Sequence, residues 1–212
     1  MLTREHKPLD FEQDYYSDSI NYIVGCDEAG RGPLAGPVVA AAVIFPRAYI
    51  NKNINDSKQL TSKKREELFN EIKANALAVG IGVVDAPTID EINIYEASRL
   101  AMKLAIEDMH HQYDLVLTDY MPIKGLEVEV IPIVKGDAKA QCIAAASIIA
   151  KVTRDHMMDE LDEKYPEYGF KKHKGYGTKQ HLDALKKFGA IKGIHRFSYK
   201  PVFEIENFIP LF

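Results

Sequence analysis

Two adjacent acids close the first apolar run of this chain. Residues 20–26 read Ile-Asn-Tyr-Ile-Val-Gly-Cys, Asp27 and Glu28 follow at once, and then come Ala29-Gly30-Arg31-Gly32-Pro33. β-Branched and aromatic residues in such a run favour a strand. Glycines directly after it allow a tight turn whose backbone N–H groups no side chain shields. The pattern therefore places two carboxylates at the mouth of a strand beside open backbone donors, which suits a metal site facing a phosphate.

The rest of the chain alternates short apolar runs with helical periods. A second strand is expected at 37–45, rich in Val and Ala and stopped by Pro46. Leu68, Phe69, Ile72 and Ala76 recur at helical spacing over 61–76, with Thr61 able to cap. A third strand is expected at 77–84, a helix from Ile89 to about His111, and a fourth strand at 114–119 that ends on Asp119. Residues 128–134 read as a fifth strand at a sheet edge, because Pro132 cannot donate to a ladder. A long helix over 138–165, apolar nearly all round in its first half, and a shorter one near 178–188 complete the pattern. Strands gathered first and then interleaved with helices indicate an α/β or α+β layer with helices packed on a mixed sheet. Residues 1–19 are polar and without period, and are expected to form a loosely held arm.

The 212 residues, 46% hydrophobic and 27% charged, suffice for one domain with a sizeable core. No apolar stretch is long enough to span a bilayer, so no membrane partner is expected. Cys26 and Cys142 lie inside apolar segments and read as buried thiols of a reducing compartment, which points to the cytoplasm. Residues 171–200 carry eight Lys and one Arg against Asp183 alone, a local balance of +8 in a chain whose net charge is −4. A basic block on an acidic body is a candidate phosphate-tracking surface, and equally a solvated helix face.

Asp27, Glu28, Asp119 and Asp137 all sit at element boundaries, where hard divalent cations can draw oxygen ligands from several elements. Singly, each also reads as a surface charge or a cap, and Asp137 as the N-cap of the long helix. The segment Gly30-x-Gly32-x-x-Ala35 loosely fits a dinucleotide fingerprint and raises a nucleotide-dependent oxidoreductase. That reading fails on context, since a β-rich run follows and two acids would repel a pyrophosphate. The seven histidines show no metal-ligand spacing, and no nucleophile elbow appears.

Residues 25–45, GCDEAGRGPLAGPVVAAAVIF, closely resemble bacterial ribonuclease HII. The likeness continues through Asn55–Leu60, Leu117–Asp119, Lys135–Ala138, Ala145–Asp155 and Lys174–Thr178, blocks that span roughly residues 20–200. The resemblance implies an α/β fold: a ribonuclease H-like mixed β-sheet flanked by helices, with a helical C-terminal extension. In this division, 1–19 is an arm, 20–170 the catalytic core, and 171–212 a basic helical region packed on the same domain. It implies an endonuclease that hydrolyses the RNA strand of RNA/DNA hybrids and nicks 5′ to single ribonucleotides in duplex DNA, leaving a 3′-hydroxyl and a 5′-phosphate.

By the same resemblance Asp27, Glu28, Asp119 and Asp137 hold two divalent cations, Mg²⁺ or Mn²⁺. Gly30, Arg31 and Gly32 meet the ribonucleotide, Tyr176 contacts the junction, and Ser57, Lys58, Ser147 and Lys151 lie near the backbone path. Two departures stand out: Tyr120 follows Asp119 where glycine is usual, and Gln59 replaces a second lysine. The chain also resembles the sister ribonuclease HIII, but the short segment before the first strand and the Gly-Arg-Gly turn favour HII. A non-catalytic hybrid-binding module is the alternative from another class, and the complete acid set argues against it. A monomer is expected; contact with a sliding clamp stays open, and the tail 203–212 is read as covering the core rather than docking on a partner.

Overall fold

The computed structural model describes residues 9–55, 57 and 60–207. Five strands, β1 (Ile23–Ala29), β2 (Val38–Ile44), β3 (Ala78–Val84), β4 (Leu115–Asp119) and β5 (Glu129–Ile133), form one sheet of order β3-β2-β1-β4-β5. β1, β2 and β3 pair antiparallel, whereas β4 and β5 run parallel to β1. Every residue of β2 is buried. Its side chains alternate between two layers: Ala41 and Val43 face a core shared with α1 (Ser62–Asn75) and α3 (Gln141–Lys164), while Ala40, Ala42 and Ile44 face α2 (Ala86–Asp108). A sheet covered on both faces explains why 37–45 is apolar without alternation. Gly25 lets α3 approach closely, for a Cβ there would lie 2.2 Å from the carbonyl carbon of Cys142.

The register fixes the site. Cys26 pairs with Thr118 in the parallel ladder, so Asp27 and Asp119, one residue further on, leave neighbouring strand ends together. A third cluster, including Leu34, Met158, Tyr168, Phe170, Leu185 and Val202, seats the C-terminal helices α4 (Phe170–His173), α5 (Lys179–Phe188) and α6 (Lys200–Glu206) against the loop that follows β1.

Several elements differ from the sequence expectation. α3 begins at Gln141, and its cap is not Asp137: the Glu12 carboxylate accepts the N–H groups of Gln141 at 3.0 Å and Cys142 at 3.1 Å. Part of the expected loose arm is thus tied down, with Leu9, Phe11, Tyr15 and Tyr16 packed on the core. α2 starts at Ala86 and kinks at Asn93, whose φ of 67° breaks the helix while its side chain caps the next turn through Tyr95 and Glu96. Val202, just before the expected tail 203–212, is buried, whereas Phe203 within it is 58% exposed; residues 208–212 lie outside the described residues. Among the described residues no helix is long and apolar enough to cross a membrane.

Candidate active site

Asp27 lies near the end of β1, Asp119 ends β4, and Asp137 sits in a short 3₁₀ turn, Gly136–Ala138, that leads to α3. One carboxylate oxygen from each of the three falls within 4.8 Å of the others. Backbone bonds hold them: the Glu28 N–H donates to Asp27 Oδ1 at 2.7 Å, and the Gly136 N–H donates to Asp119 Oδ1 at 2.7 Å. The second bond fastens the end of β4 to the turn that carries Asp137. Tyr120 and Lys135, on the shoulders of this turn, have φ of 61° and 56°. Left-handed backbone at non-glycine residues costs energy and collects at functional sites. Tyr120 thus takes the path where glycine would be usual.

Glu28 stands outside the group of three. Its Oε1 lies 3.5 Å from Arg31 Nη1, and Oε2 is buried without a hydrogen-bond partner among the described residues. Burial, and then the charges of Glu28 and Asp119, push the Asp27 carboxyl well above the usual range, against a hydrogen bond from Ser147. Burial also raises Glu28, opposed by Arg31 and reinforced by Asp119. Buried, mutually repelling carboxylates with an oxygen lacking any donor form an all-oxygen set that fits a hard divalent cation.

A cleft of about 360 Å³ opens beside these acids. Gly30, Arg31, Gly32, Ser57, Ser147, Lys151 and Tyr176 line it together with Asp27, Glu28 and Asp119. Asp137 joins through the carboxylate group and not through the cleft wall. Lys58 lies outside the described residues. Ser57 Oγ and Ser147 Oγ share a 2.9 Å hydrogen bond, and Lys151 Nζ donates to Asp155 at 2.6 Å. Tyr176 is 48% exposed, and its ring edge comes within 3.6 Å of where a Gly32 Cβ would stand.

Sequence reasoning missed the residues that shape the turn. Arg154, buried, donates from Nε to the Pro37 carbonyl at 2.9 Å, from Nη2 to Ala35 at 3.0 Å and from Nη1 to Lys174 at 2.9 Å. Arg196, also buried, donates to the carbonyls of Gly30 at 2.6 Å, Arg31 at 3.0 Å and Gly36 at 2.8 Å. With its carbonyls drawn inward onto the guanidinium N–H groups, the 30–37 loop needs no further donors on that side. Gly30, at φ 101°, admits no side chain, since a Cβ would lie 2.3 Å from Arg154 Nε. Arg65 braces the other wall by donating to Ser57 and Leu60 carbonyls at 3.1 and 2.6 Å. A periodicity signal existed for Arg154, because Ser147, Lys151 and Arg154 share one face of α3. Arg65 follows Lys63 and Lys64 and looked like any solvated helix face. The basic block also loses two members: Arg196 is buried, and Lys174 Nζ is engaged by Asp159 and the Asp155 carbonyl.

A mixed sheet whose central parallel strands end on convergent acids defines a ribonuclease H-like protein. The family model for ribonuclease HII matches residues 24–202, and the chain belongs to that family. It is 50% identical to ribonuclease HII of Ruminiclostridium cellulolyticum over 208 residues, covering 98% of this chain and 79% of that one. It is 55% identical to ribonuclease HII of Acholeplasma laidlawii over 194 residues, 92% of this chain and 95% of the relative. Among solved structures, ribonuclease H2 from Pyrococcus horikoshii superposes with a TM-score of 0.74 at 29% identity, covering 87% of this chain and 97% of that one.

Proposed function

We propose that this protein is an endonuclease that hydrolyses RNA in RNA/DNA hybrids and nicks duplex DNA on the 5′ side of an embedded ribonucleotide. The observation that carries this reading is the convergence of Asp27, Asp119 and Asp137 within 4.8 Å beside a cleft lined by the Gly30-Arg31-Gly32 turn. Asp27, Asp119 and Asp137, with Glu28 and its unpartnered oxygen, would hold two divalent cations, Mg²⁺ or Mn²⁺. When bound, such cations supply an activated water for in-line attack and offset charge on the leaving 3′-oxygen.

The chain's own groups do the rest. The open side of the Gly-Arg-Gly turn offers backbone donors to the sugar and phosphate, and a side chain at position 30 would displace Arg154. Tyr176 lays an aromatic face beside that turn, able to pack on the ribose while its hydroxyl hydrogen-bonds. Ser57, Ser147 and Lys151 line the path of the phosphates, and Lys151 exchanges its bond to Asp155 for the backbone. Both cysteines are buried and unpaired, which suits work in the reducing cytoplasm.

A labelled duplex carrying one ribonucleotide and an RNA/DNA hybrid, each incubated with Mg²⁺, Mn²⁺ or chelator, tests the reading. Expected is metal-dependent cutting of both, with a 3′-hydroxyl and a 5′-phosphate at the single ribonucleotide. Binding without cutting in either metal would reduce the protein to a hybrid-binding module.

A further inference from the structure

Three histidines behind Tyr176, at positions 173, 181 and 195, are buried, and the hydrogen bonds around them leave one consistent arrangement of protons. The Ile191 N–H donates to His195 Nδ1 at 2.9 Å, so that nitrogen is bare and Nε2 carries the hydrogen. His195 Nε2 faces His181 Nε2 at 3.1 Å, which makes the latter an acceptor. The hydrogen of His181 is then on Nδ1, 3.0 Å from the carbonyl oxygen of Tyr176. His173 follows the same logic: its Nδ1 accepts the Gly175 N–H at 3.2 Å, its Nε2 donates to the Tyr168 carbonyl at 2.9 Å, and its own carbonyl accepts the Tyr176 N–H at 2.9 Å. Its ring stacks on His181 with centroids 4.5 Å apart.

The relay ends at both walls of the cleft. His195 reaches the Tyr176 wall through His181, and the next residue, Arg196, holds the Gly30, Arg31 and Gly36 carbonyls of the opposing turn. One dipeptide therefore sets the spacing between the tyrosine and the turn. Resting on the endonuclease reading above, we propose that His195 and His181 are positioning residues. Through a hydrogen-bond relay of fixed polarity they hold Tyr176 against the Gly30-Arg31-Gly32 turn, and so govern discrimination of a ribonucleotide from a deoxynucleotide. Burial lowers the ring pKa of both to about 4, which keeps the relay neutral in ordinary buffers.

A double-mutant cycle on a single-ribonucleotide duplex tests the assignment. His181→Phe keeps a ring among Phe170 and His173 but cannot donate to the Tyr176 carbonyl. It should lower kcat/KM about tenfold, the cost of one lost hydrogen bond. His181→Asn, whose amide nitrogen occupies the place of Nδ1, should recover much of the loss. In a Tyr176→Ala background His181→Phe should cost almost nothing more. Equal losses in the two backgrounds would overturn the relay while leaving the endonuclease reading intact; a wild-type protein that leaves the duplex whole would overturn that reading. Should the variants fail to fold, ¹⁵N NMR of the wild-type rings decides. Hydrogens on His195 Nε2, His181 Nδ1 and His173 Nε2 support the relay, and any other tautomer at His195 or His181 refutes it.

Discussion

Asp27 is buried beside two like charges, and the consequences are measurable without substrate. Its carboxyl is raised by burial and by Glu28 and Asp119, so the native protein holds a proton that the unfolded chain releases near the ordinary carboxylate value of 3.8. Stability of the metal-free protein must then fall as pH rises from that value through the raised one. Asp27→Asn removes this group's share of the dependence, while Glu28 and Glu12, also raised by burial, keep theirs. In chelator, the variant should melt at higher temperature than wild type at pH 8, and the gain should shrink toward pH 4. A thermal scan at the two pH values checks it, and a gain independent of pH would point to packing instead. Mg²⁺ should raise the melting temperature of wild type more than that of the variant, because cations bound to the native state stabilise by mass action.

The elements show where sequence reading reaches and where it stops. β1 to β5 were legible from apolar runs, Pro132 placed β5 at the edge, and α1 was legible from helical spacing with its Thr61 cap. The acids were legible because each ends or precedes an element. What joined Asp27 to Asp119 was the parallel register, a long-range property that no local period encodes. Arg196 was illegible for a related reason. Its partners include carbonyls up to 166 residues away, and a polar residue paired at such distance looks like a surface residue in the sequence. Glu12 is the same case. It replaces the expected Asp137 cap by accepting two N–H groups at the start of α3, the helix that also carries Ser147 and Lys151. Glu12→Ala should cost about 1–2 kcal/mol, read as a lowered urea midpoint with unchanged slope. A loss of only a few tenths would mean that solvent caps the helix as well.

At the scale of the whole molecule, an acidic protein must bind a polyanion. Lys171, Lys172, Lys179, Lys186 and Lys187 are exposed on α4 and α5, the elements that flank Tyr176, whereas the cleft floor is acidic. Segregated charge would let the lysines release counterions from phosphates without repelling the acids' cations. Affinity for duplex should therefore fall steeply with salt. Replacing Lys171 and Lys179 together by Glu should weaken binding equally for every sequence and reduce the slope of log K against log salt by about 2. An unchanged slope, measured by fluorescence anisotropy, would leave the block as a solvated face.

The convergence of strand-end acids into a cutting centre is tested most directly by the single-turnover nicking rate of Asp119→Asn beside wild type, on one duplex with one ribonucleotide in saturating Mg²⁺. Loss of one charged ligand from the group should lower the rate by at least about a hundredfold, the scale at which single charge-stabilising groups act, while the variant remains folded and still binds the duplex. A folded Asp119→Asn protein that nicks within a fewfold of the wild-type rate would contradict the account.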